Sequence, residues 1–158
     1  MACWSAENAT KAYLRTVKMG EKAKEPNGVE FISALAAGNN AQIMVVACAG
    51  VADSTTLALV AAAQQTGGRD VNADHVEFVT GDVKNLLINE YKDADFVAID
   101  CNLENYEEII SSIQESPRRN NTIVVGYNAF CREFWRNSPL CSELLANRRR
   151  LAINKNSS

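Results

Sequence analysis

Asp100 stands directly after the apolar run Phe96-Val97-Ala98-Ile99. A carboxylate at the end of such a strand can bind a metal or a cofactor hydroxyl. It can equally accept hydrogen bonds from the amides of the loop that follows. Asp82 holds a similar place ahead of a second apolar segment, where it also reads as a helix start. Ser54 and Thr55 open a helix of alanines and leucines. Their hydroxyls can cap its first amides, or those amides can favour an anion or a polar ribose. In an open parallel sheet, ligands gather at the C-terminal strand ends. Four loops supply that edge: Cys48 to Ser54, Thr80 to Asp82, Asp100 to Asn105, and Gly126 to Phe130.

Other chemistries have less to work with. His75 is the sole histidine, so a self-contained zinc finger, a two-histidine protease site and a multi-histidine iron site are excluded. No metal site is expected. Cysteines lie at 3, 48, 101, 131 and 141, an odd number at wide spacings that fits no extracellular disulfide framework. Cys48 and Cys101 follow strands expected to be neighbours; a thiol role competes there with plain apolar packing. The glycine fingerprints of dinucleotide sites and phosphate loops are absent, as is the Gly-x-Ser-x-Gly elbow of hydrolases.

Positioning these residues falls to alternating elements. A helix is expected over 5–19, with Ser5 as N-cap and an inner face of Ala9, Ala12, Tyr13, Leu14 and Val17. A second follows over about 29–37 with Val29, Phe31, Ile32, Leu35 and Ala36, closed by Gly38 as C-cap. Residues 43–48 are continuously apolar, as in a strand covered on both faces. Then come a helix from Thr56 to Gln65, a short strand over 76–79, a helix begun by Asp82, and a strand over 95–100. A helix over about 104–115 carries Tyr106, Ile109, Ile110 and Ile113 on one face. A strand over 122–126 follows, and Leu151-Ala152-Ile153 reads as a short edge strand. The pattern predicts a three-layer α/β domain with a mostly parallel sheet and right-handed crossovers.

The chain of 158 residues is one domain by length, and 47% apolar residues suffice for a core. No apolar run reaches membrane-spanning length, and the first residues lack a secretory pattern, so a soluble intracellular, cytoplasmic setting is expected. Charge is uneven. Residues 1–50 hold five bases against four acids, residues 51–115 three bases against thirteen acids, and residues 116–158 eight bases against two acids. The basic tail has no aromatic interleaving or nucleic-acid motif, so it reads as a solvated or intramolecular counter-charge rather than a nucleic-acid surface.

Several of these segments resemble known ones. Val97 to Tyr106 resembles the aspartate-bearing strand end of small-molecule O-methyltransferases that use S-adenosylmethionine. Asp53 to Leu59 resembles the start of their first core helix, and Gly81-Asp82 with Leu86-Leu87 a third shared segment. Met1 to Leu14, Glu30 to Asn40 and Val125 to Phe130 are similar to the plant domain-of-unknown-function family numbered 1442, placed in the same superfamily. The resemblance spans about 1–138 with one gap. It implies a Rossmann-like, methyltransferase-type fold, S-adenosylmethionine as cofactor and a small-molecule acceptor. It also implies cofactor contacts at Gly50, Ser54, Thr55, Asp82 and Asp100.

The chain also departs from that pattern. Ala47, Ala49 and Asp53 stand where the superfamily has an acid and paired glycines, and only the displaced Gly50 offers similar backbone freedom. Asn102 and Leu103 replace an aspartate and a lysine of the metal-dependent members, and Tyr127-Asn128 replaces their Asp-Asn. Thr66 to Asp74 spans nine residues where a strand and a helix are expected, as in a splice or gene-model variant. Either the strand at 76–79 moves beside the strand at 43–48, or a sheet edge is left open to pair with another chain. The expected organisation is a helical segment over 1–40, an incomplete methyltransferase-like core over 41–138 and a basic tail over 139–158 that lacks two closing strands.

Two functions stay open at this point. One is a methyltransferase-like protein of unknown acceptor, active or inactive in this form. The other is a non-catalytic α/β protein that works through protein partners or self-association.

Overall fold

A computed structural model describes residues 3–19, 28–50, 53–67, 76–116 and 122–128, and the backbone of 152–155. The turn at Pro26-Asn27, His75, the Pro117–Asn121 turn and most of the region after Asn128, with its arginines, Cys131 and Cys141, lie outside the described residues. By its contacts the chain divides into two compact units, Met1–Met44 with Ala52–Phe78 and Val45–Val51 with Val79–Ser158.

The first unit packs three helices: α1 (Ala6–Met19), α2 (Gly28–Gly38) and α3 (Ser54–Thr66). Its seam is made of small residues. Ala9 and Ala12 of α1, Ala36 and Ala37 of α2, and Ala58, Ala61 and Ala62 of α3 are all buried. Small side chains let helix backbones approach closely, and Ile32 of α2 and Leu59 of α3 are the larger apolar residues buried with them. Leu14 and Val17, expected on the inner face of α1, are exposed instead, as is Phe31 of α2, and the buried α1 stripe is completed by Thr16. The Thr16 hydroxyl is satisfied by the carbonyl of Ala12.

Ser5 caps α1 as its sequence suggests, its Oγ accepting from the Asn8 amide at 3.2 Å. Gly38 does not cap α2. It remains helical, and the left-handed residue is Asn40, at φ 54°. The Asn40 amide donates to Ala37 and the Ala41 amide to Ala36, the paired bonds of a Schellman ending. What Gly38 provides is room: a Cβ there would stand 2.3 Å from the Trp4 ring. The Ser5 amide donates to the Gly38 carbonyl at 2.7 Å, and Asn40 bonds both Asn8 and Cys3, so the start of α1 is tied to the end of α2.

The second unit holds a sheet in the order β1-β2-β3-β4, with β1 at Met44–Ala47, β2 at Phe96–Asp100, β3 at Ile123–Tyr127 and β4 at Ala152–Lys155. β2 and β3 are parallel, with Phe96 opposite Ile123 and Asp100 opposite Tyr127. β4 runs antiparallel to β3, which places the expected edge strand one residue later than Leu151. Together these elements make a shortened Rossmann-like α/β fold.

Central and edge strands differ as their positions require. β2 and β3 are buried almost throughout, on both faces, which accounts for their unbroken apolar runs. β1 ends the sheet and is only half-buried before Ala47, although its sequence is as apolar. Val97, Ile99 and Val124 point toward α5 (Tyr106–Glu115), whose Tyr106, Ile109, Ile110 and Ile113 complete the core with Leu87. Burial of each such isoleucine stabilises the fold by about 1.5–3 kcal/mol. Leu87 belongs to a π-helical turn, Leu86–Glu90, that continues from the single turn α4, Val83–Asn85. Leu86 and Ile88 of that wide turn are half-buried, and Leu87 between them is buried.

Residues 76–79 correct the strand expectation. They form no strand, and Val76, Phe78 and Val79 are exposed, Phe78 by 73%. A strand exists through its ladder, and among the described residues nothing pairs with this segment. Of the two alternatives for the shortened chain, the described residues therefore leave the β1 edge open.

Candidate functional site

The C-terminal ends of β1, β2 and β3 lie side by side in one sheet and present Cys48, Asp100 and Asn128 in order. Asp100 closes β2 half-buried, because the strand carries it out of the core while Ile99 beside it is fully buried. Its Oδ1 accepts from the Asn102 amide at 2.9 Å and from Nδ2 of Asn128 at 2.9 Å. The first bond makes Asp100 the cap of its own loop. The second fixes it to the end of the neighbouring strand. Both bonds end on one oxygen, and Oδ2 accepts none among the described residues. A restrained carboxylate with one oxygen still to satisfy can receive a hydroxyl or an ammonium group.

Asn128 follows β3 in the left-handed region at φ 60°, a conformation that asparagine tolerates better than most residues. Its approach follows from register: Tyr127 pairs with Asp100, so the residue after β3 emerges at the same level. The Cys101 amide extends the ladder by donating to the Tyr127 carbonyl at 2.9 Å. Asn128 was legible only as an amide beside a strand end; its bond to Asp100 depends on which strands pair.

Gly50 is exposed after β1, and a Cβ there would meet nothing within 4 Å. Its openness is not demanded by local packing. Asp82 is exposed and opens α4 through its carbonyl, which accepts from the Leu86 amide, while its side chain makes no capping bond. Among the described residues no hydrogen bond joins Gly50 or Asp82 to Asp100. Cys48 is half-buried with its thiol toward the Gly50 carbonyl, and Cys101 is fully buried in the α5 core.

In the first unit, α3 is capped by Asp53 rather than by Ser54 or Thr55. Asp53 Oδ1 accepts from the Thr55 amide at 3.0 Å and the Thr56 amide at 3.1 Å. Thr55 is buried at 2% exposure, so of the two hydroxyl residues only Ser54 faces solvent. The helix begins two residues earlier than its apolar pattern suggested, which turns Ser54 and Thr55 into first-turn residues and leaves the cap to Asp53.

No group of three or more histidine, cysteine or acidic side chains stands ready for a metal among the described residues. No described helix is long and apolar enough to cross a membrane.

No curated protein and no solved structure matches the chain. A family model does match over residues 1–76, a span that takes in α1, α2, β1 and α3 and stops before Asp100 and Asn128. Over that span the chain is similar to the family described as Protein of unknown function (DUF1442).

Proposed function

We propose that the protein binds S-adenosylmethionine at the C-terminal strand ends and is a methyltransferase-like protein acting on a small-molecule acceptor. The observation that carries this reading is the restrained Asp100 carboxylate, held through Oδ1 with Oδ2 left to accept from a ligand. The methyltransferase kinship and plant origin implied by the sequence resemblance belong to this proposal, as does a cytoplasmic setting.

The residues present fit such a ligand in two respects. Asp100 offers an acceptor for a ribose hydroxyl or an ammonium group, and open space at Gly50 leaves its backbone approachable. The surplus of ten acids over residues 51–115 suits a ligand with a sulfonium and an ammonium group. When bound, the cofactor supplies an electrophilic methyl group. Asn102 and Asn128 hold Asp100 in one orientation, so that ligand placement costs less ordering at the moment of binding. Rate would come mainly from in-line placement of an acceptor oxygen or nitrogen.

Titration calorimetry on the full chain tests the reading. Heat is expected with S-adenosylmethionine and S-adenosylhomocysteine, and Asp100→Ala should abolish it while leaving the circular dichroism spectrum unchanged. Absence of heat at millimolar ligand overturns the proposal.

A second reading rests on the exposed apolar segment Val76–Val79. It makes the chain a non-catalytic α/β protein working through protein contacts. Binding of partner without binding of cofactor would favour it.

A further inference from the structure

Glu30 and Ser33 stand about one turn apart on the inner face of α2, and both are buried, at 7% and 0% exposure. Oε2 of Glu30 and Oγ of Ser33 are enclosed, and neither has a hydrogen-bond partner among the described residues, the other included. Elsewhere the chain satisfies such groups locally. The hydroxyls of Thr10, Thr16 and Ser112 each donate to the carbonyl four residues back, and Glu7 and Glu108 pair with lysines. Ser33 leaves that local bond unmade, and Glu30 forms no ion pair among the described residues. Buried polar groups rarely go unpaired, so two on one helix face point to a shared partner.

We infer that Glu30 and Ser33 bind one internal water molecule between α1 and α2. The water donates to Oε2 of Glu30, and Oγ of Ser33 can give or take the second bond. Thr16 of α1 comes level with this site. The Ser5 amide donates to the Gly38 carbonyl, and the Tyr13 and Phe31 rings meet with centroids 5.8 Å apart, so the helices run antiparallel and the end of α1 lies beside the start of α2. Thr16 is buried toward that end, and its Oγ1, already donating to Ala12, keeps lone pairs that can accept from the same water. Three polar groups are about what an internal water ordinarily holds. One carboxylate with hydroxyls offers too few strong oxygen ligands for a hard divalent cation. The water fastens the first turns of α2 to the last turn of α1. Both helices belong to one compact unit and Asp100 to the other, so the inference stands apart from the proposed ligand.

A crystal structure of the full chain, at a resolution that shows ordered water, tests the site directly. Density for one water within hydrogen-bond distance of both Glu30 Oε2 and Ser33 Oγ is expected. A direct bond between the two side chains overturns the inference. So does a metal ion at the site, a dry contact, or a lysine of residues 20–27 seated on Oε2. Urea unfolding gives a second measurement through Glu30→Met, Ser33→Ala and the double variant. Each single change removes one partner of the same water, so their effects on the unfolding constant should depart from additivity by about threefold or more. Additive effects overturn the inference. Should Glu30→Met fail to fold, Glu30→Gln takes its place in the cycle.

Discussion

Asn128 donates from Nδ2 to Oδ1 of Asp100 at 2.9 Å, so the residue that follows β3 restrains the carboxylate that ends β2. Asn128 makes this bond from a left-handed backbone, at φ 60°. Replacement by glycine keeps that conformation and removes the side chain. Replacement by alanine removes the side chain and adds the left-handed penalty of about 1–2 kcal/mol. Urea unfolding is therefore expected to rank wild type above Asn128→Gly and Asn128→Gly above Asn128→Ala. Equal stability of the two variants would contradict the strained backbone.

Asp53 satisfies two amides at the start of α3. Asp53→Ala should destabilise the protein by about 1 kcal/mol, in the usual range for a lost N-cap. Ser54→Ala should cost much less, because Ser54 is exposed and is not the cap. A thermal melt of the two variants side by side reads the difference.

Gly38 and Trp4 form a contact that a methyl group would destroy, with the added carbon 2.3 Å from the ring. Gly38→Ala should displace the indole and shift its fluorescence, measured in a Trp135→Phe background so that only Trp4 reports. A loss of about 1–3 kcal/mol is expected, typical of overpacking. Unchanged Trp4 emission would show that the ring does not need this space.

Lys84 and Glu108 form an ion pair at 2.6 Å between α4 and α5. The hydrogen bond to Glu108, followed by its charge, raises the lysine above its ordinary value. A raised lysine stabilises the fold below its unfolded value for as long as Glu108 is ionised, and the contribution disappears as pH rises through the folded value. The pair is solvent-exposed, so its effect is small and salt-sensitive. The difference in melting temperature between wild type and Lys84→Gln should be largest at neutral pH in low salt. It should shrink with added salt and vanish above the lysine range.

The local chemistry was readable along the chain wherever short-range rules govern. Ser5 as a cap, the apolar face of α5 and the buried runs of β2 and β3 all follow from periodicity and capping. Asp100 could be placed at a strand end for the same reason. Where the outcome depends on what lies opposite, sequence pattern was insufficient. Residues 43–48 and 76–79 are both strand-like in composition, yet one is a half-buried edge and the other forms no ladder, because pairing partners decide both. Leu14, Val17 and Phe31 are exposed while Ile32 and Leu59 are buried with the alanines, because which apolar residues go inside depends on where the neighbouring helices lie. The Asn128–Asp100 bond joins residues 28 positions apart and exists only because β2 and β3 are parallel in one register. Periodicity and capping act over one turn or one strand, whereas register and edge position belong to the assembled sheet.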